Sequence, residues 1–72
     1  MAQESDIKTP GDILRLALEK ETRARDAYRE LATHCSVDFV RDLLLKLENE
    51  EYRHMRMIRD MLGKLESGKP LV

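Results

Sequence analysis

Apolar residues recur at intervals of three and four along most of this chain. Leu14, Ala17, Ala24, Tyr28, Leu31 and Cys35 predict one amphipathic helix. Val37, Val40, Leu44, Leu47, Ile58, Met61 and Leu65 predict a second. Thr9-Pro10-Gly11-Asp12 reads as the start of the first helix. Thr9 is the N-cap, Pro10 takes the first helical position, and Asp12 sits near the positive end of the dipole. Ser36 reads as the cap of the second helix, with Asp38 in its first turn, and Gly68 and Pro70 end it. The expected layout is a polar lead over residues 1–8, a helical hairpin over 9–67 and a tail over 68–72. Helix 1 would run over about 10–35 and helix 2 over about 37–66, and so short a turn makes them antiparallel neighbours.

The pattern is interrupted where chemistry would be. On a wheel of ~100° per residue with Glu51 at zero, most apolar residues of helix 2 fall within an arc of roughly −80° to +40°. Glu51 lies near the centre of that arc and His54 at about −60°. In helix 1, Glu21 fills the missing beat between Ala17 and Ala24. Three polar groups therefore occupy positions that core residues should take. Burying an unpaired carboxylate costs several kcal/mol, roughly 2–7 for a polar group and more for a charge. A metal ion is the first candidate to offset that cost. With the turn between Cys35 and Ser36, Glu21 and Glu51 stand almost equally far from it, so the two carboxylates share one height.

Size sharpens the problem. The chain has 72 residues and one cysteine, Cys35, so no intrachain disulfide can support its small core. A metal, a partner chain or both must do so. Charged residues make up 38% and the net charge is −1, which gives no basic footprint for nucleic acid. The polar start Met1-Ala2-Gln3-Glu4-Ser5-Asp6 and the lack of a long apolar run give no membrane span, and the reading is a cytoplasmic protein.

One hairpin offers two carboxylates and one imidazole. Two hairpins about a twofold axis would double this to four and two. That is the inventory of ferritin-like di-iron bundles: one Glu from each of two helices and Glu-x-x-His from each of the others. Glu21-Thr22-Arg23-Ala24-Arg25-Asp26-Ala27-Tyr28 resembles the first metal-binding helix of rubrerythrins, with its Glu-x-x-Ala-Arg-x-x-Tyr. Glu48-Asn49-Glu50-Glu51-Tyr52-Arg53-His54 resembles the second, with its Glu-x-x-His. The resemblance covers about residues 12–65. It implies an all-α protein, an antiparallel two-helix hairpin that dimerises into a ferritin-like four-helix bundle. It also implies Glu21, Glu51 and His54 as metal ligands and Tyr28 as a near neighbour. Carboxylates with imidazole suit iron, two ions per dimer, with Mn or Zn as alternatives.

The chain departs from a full rubrerythrin in having two helices rather than four and no Cys-x-x-Cys pair. In this half-size layout it is similar to encapsulated ferritins. That likeness implies iron oxidation or peroxide and dioxygen reduction at a homodimer or larger even assembly, with an electron donor or a shell protein as further partners. The alternative is a non-enzymatic helical interaction module or an iron storage subunit. Around the three ligands, Glu48 is a supporting or surface residue. Tyr28 either packs or hydrogen-bonds a ligating carboxylate. Arg25 either pairs near the site or runs out to water. His34 reads as a surface histidine, Cys35 as a small buried residue near the turn, and Met55, Met57 and Met61 as packing residues.

Overall fold

A computed structural model describes residues 7–67. It is all-helical, with α1 over Pro10–Thr33 and α2 over Asp38–Glu66. The capping residues of α1 act as the sequence predicts. The Thr9 hydroxyl accepts from the Asp12 backbone N–H at 3.0 Å. The Asp12 carboxylate accepts in return from the backbone N–H groups of Thr9 and Lys8, at 3.2 and 3.1 Å. The hydrogen bond from Lys8, then that from Arg15, holds the Asp12 carboxyl below its ordinary pKa.

The turn is longer than its sequence suggests. α1 stops at Thr33, where the chain tightens: His34 and Cys35 donate to the carbonyls three residues back, Leu31 and Ala32, at 3.1 and 3.2 Å. Ser36 does not cap α2. The N-cap is Val37, in extended backbone, with no side-chain hydrogen bond. The first turn of α2 is held instead by Asp38 near its positive end and by the Arg41–Asp38 ion pair at 2.9 Å. Cys35 is half-buried, its thiol donating to the Val37 carbonyl at 3.6 Å. At the far end α2 runs through Gly63 without a break and ends at Glu66.

The two helices pack side by side in one layer. The principal extents are 49 × 27 × 12 Å, and the smallest is about the diameter of one helix with its side chains. One layer has no enclosed interior. Among the described residues only Leu16, Ala32, Met55 and Leu62 are buried apolar side chains, and Met55 is the most enclosed. The expected core stripe of α2 is divided accordingly. Leu44, Leu47, Ile58 and Leu65 are half-buried and Val37, Val40 and Met61 are exposed, whereas the buried apolar residues of α2 are Met55 and Leu62, which the expected stripe did not include and which face α1.

Glu48 is the exception to the rule that buried groups are apolar. It is 4% exposed, and its carboxylate accepts from Arg29 Nε at 2.7 Å across the hairpin. The Arg29 side chain leans toward the N-terminus of its helix, as helical side chains do, and so reaches a residue on α2 below its own level. The pair ties the two helices at one height.

Candidate metal centre

Helix geometry brings the three predicted residues to one place. Glu51 and His54 lie three apart on α2, hence on one face one turn apart. Glu21 meets them from α1. Its Oε1 is 3.4 Å from His54 Nδ1, and Glu51 Oε1 is 3.8 Å from the same nitrogen. One donor atom from each of the three can be chosen so that all lie within 4.8 Å of one another. Both nitrogen–oxygen separations are too long for good hydrogen bonds. They are spacings that donors sharing one ion adopt, since ligands each ~2.1 Å from a metal stand roughly 3–4 Å apart.

Burial is graded across the cluster. The side chains of His54, Glu21 and Glu51 are 40%, 31% and 13% exposed. Glu51 Oε2 is fully buried and has no hydrogen-bond partner among the described residues. Such an atom is expensive to leave unsatisfied. The Glu51 pKa is raised. The largest cause is its hydrogen bond with the Glu21 carboxyl, followed by burial and by the Glu21 charge, and His54 offsets only part of this. Two carboxyls crowded together, one of them held above its ordinary pKa, are a donor set short of positive charge. The residues therefore fit a cation, and the orphaned oxygen is the observation that decides it.

The three residues proposed to support the ligands behave differently from one another. Glu48 is committed to Arg29 and lies apart from the cluster. Arg25 turns away: both Nε and the terminal nitrogen bond Asp26 Oδ1, at 2.9 and 2.7 Å, and its guanidinium lies 5.2 Å from the Tyr52 ring centre. Tyr28 is half-buried two turns beyond Glu21. Among the described residues it makes no hydrogen bond to Glu21, Glu51 or His54. His34 is exposed at the turn, as expected. Sequence reasoning missed Arg29. The signal was the position of Glu48 at about +60°, the edge of the apolar arc, where a carboxylate needs a cation from the neighbouring helix.

A shallow cavity of about 360 Å³ lies at the turn end between Arg29, Thr33, Arg41 and Leu45, and none of Glu21, Glu51 and His54 lines it. His54 and Glu21 are only partly covered, so the cluster is open to solvent on their side.

A two-helix layer with a carboxylate and imidazole cluster at mid-height defines a helical protein with a candidate metal site. The Rubrerythrin family model matches residues 12–72, and the chain belongs to that family. No curated protein and no solved structure gave a significant match.

Proposed function

We propose that this chain is a ferritin-like di-metal carboxylate protein whose centre is completed when two copies pack face to face. The observation that carries the reading is the juxtaposition of Glu21, Glu51 and His54 with a buried, unpartnered oxygen on Glu51. The activity is oxidation of ferrous iron, or reduction of dioxygen or peroxide by iron held there. Bound iron would supply the electrons for that chemistry.

The residues of the chain have three tasks. Glu21 and Glu51 supply negative charge to offset the repulsion between two cations held close together. His54 adds a neutral nitrogen donor, which favours transition metals over the calcium and magnesium that all-oxygen sets prefer. Because the Glu51 pKa is raised, a metal held there would have to displace its proton, so loading would release protons. A covered cluster also excludes water, which strengthens each of these electrostatic interactions.

The test is iron content per chain after anaerobic reconstitution, measured with mass in solution. About one iron per chain in an even assembly, lost in Glu51→Ala, is the expected result for the site; consumption of dioxygen or peroxide by the loaded protein then establishes the activity. An intact fold that takes up no metal would instead favour a helical interaction module.

A further inference from the structure

The cavity at the turn end is separate from the metal cluster. Arg41 and Leu45 line it from α2, six to ten residues before Glu51, which is roughly 9–15 Å along the helix. They lie about 40° and 80° round α2 from Met55, which faces α1. Glu51 and His54 lie about 40° and 100° round in the other sense. On α1, Arg29 and Thr33 line it from the side of Ala32 opposite to Glu21. The cavity therefore lies on the face of the layer away from His54, and a second copy packed over the cluster would leave it open.

Two guanidiniums from different helices meet there with donors to spare. Arg29 is held through Nε alone, on the buried Glu48 carboxylate, and 69% of its side chain is exposed. Its two terminal nitrogens have no partner among the described residues. Glu48 is thus a fixed post that orients the guanidinium and cannot follow it outward. Arg41 bonds Asp38 through Nη2 at 2.9 Å, and Asp38 is 84% exposed. A surface pair of this kind is worth about 0–1 kcal/mol, so another anion can draw Arg41 from it at small cost. Between the two cations the lining is apolar, with buried Ala32 and exposed Leu45. A volume of about 360 Å³ is at the small end of the roughly 300–1,000 Å³ usual for small-molecule sites.

We infer that this cavity binds a small oxyanion with an apolar body. A carboxylate or phosphate head lies between Arg29 and Arg41, and a body of a few carbons covers Ala32 and Leu45. The site goes beyond the di-metal reading and does not depend on it. A guanidinium pairs with carboxylate or phosphate through two parallel N–H···O bonds, and such charged bonds are about twice as strong as neutral ones. One exposed arginine would be only a surface charge. Two from facing helices, one of them anchored by a buried acid, fix where the head sits. The apolar lining then favours anions that carry a body over bare ions.

The test is a titration of the isotope-labelled chain, followed by nuclear magnetic resonance at constant ionic strength. It is read at the backbone amides of Thr33, Cys35, Arg41 and Leu45 and at the Nε–H signals of Arg29 and Arg41. Butyrate and phenyl phosphate are the probes, with acetate and inorganic phosphate as their counterparts without a body and chloride as the salt control. The expected result is saturable shifts confined to these residues, with the bodied anion binding at least about threefold tighter than its bare counterpart. The pair that binds tighter names the head group. Arg41→Gln should weaken binding by about fivefold or more and leave the amides elsewhere unmoved. Arg29→Ala alone strands Glu48, so the second variant is Arg29→Ala with Glu48→Leu, which should lose the binding as well. Shifts that never saturate, that spread equally to Arg53 and Arg56, or that survive both variants would mean an adventitious ion only and overturn the site. Equal affinities with and without the body would overturn it too.

Discussion

Glu51 is the side chain on which opposing forces meet. Its neighbours raise its pKa above the ordinary 4.5, so the folded, metal-free chain keeps a proton that the unfolded chain gives up. As pH rises through the window above 4.5, the unfolding free energy falls, because the native state binds more protons than the unfolded one. Replacing Glu51 by Gln removes that dependence. Urea titrations of metal-free protein should show Glu51→Gln gaining on wild type as pH rises above 4.5, while its metal binding disappears. Parallel curves for the two proteins would mean that Glu51 ionises freely. Asp12 acts in the opposite sense. Its lowered pKa adds stability above 3.8 that is lost as pH falls below, so the two effects occupy separate windows.

Arg29 and Glu48 show the same logic without a metal. The carboxylate is buried while the guanidinium is largely exposed, so truncating the arginine strands a charge. Arg29→Ala should cost about 1–3 kcal/mol in chemical denaturation, and Arg29→Ala with Glu48→Leu should recover most of it. If the double variant is no better than the single, the pair contributes through packing alone.

At the scale of elements, the helices were legible because their periodicity is long and their cap chemistry specific. Thr9 and Asp12 satisfy three backbone N–H groups at and just before the start of α1, and Thr9→Ala should cost about 1 kcal/mol by thermal or chemical unfolding. The turn was less legible. Ser36 has the right side chain for a cap, but the chain begins α2 one residue later, at a valine that offers no acceptor. Ser36→Ala should accordingly change stability by only a few tenths of a kcal/mol. Gly63 is the opposite case, a residue that weakens a helix it does not end. A Cβ there would meet nothing within 4 Å, so Gly63→Ala should stabilise α2 by about 0.5–1 kcal/mol.

At the scale of the whole chain, the site was readable for a reason that the fold makes plain. Glu21, Glu51 and His54 broke a pattern that otherwise ran unbroken, and two segments equally far from one turn had to bring them level. What the pattern did not reveal was which apolar beats a single hairpin covers. Periodicity marks a wide stripe, and α1 covers only the Met55 and Leu62 edge of it. The remaining edge is where the proposed second copy would pack. Leu43→Asp, which alters no proposed ligand, should shift the protein to monomer in sedimentation and abolish metal uptake with it.

A layer 12 Å thick also sets a rule about quantity. A protein with its own interior works at any dilution, chain by chain. Here the working centre would be made by encounter, so when chains are scarce its amount follows the square of their number. Halving expression would then remove about three quarters of the working centres, and cells would meet this protein as something close to a threshold rather than a dial.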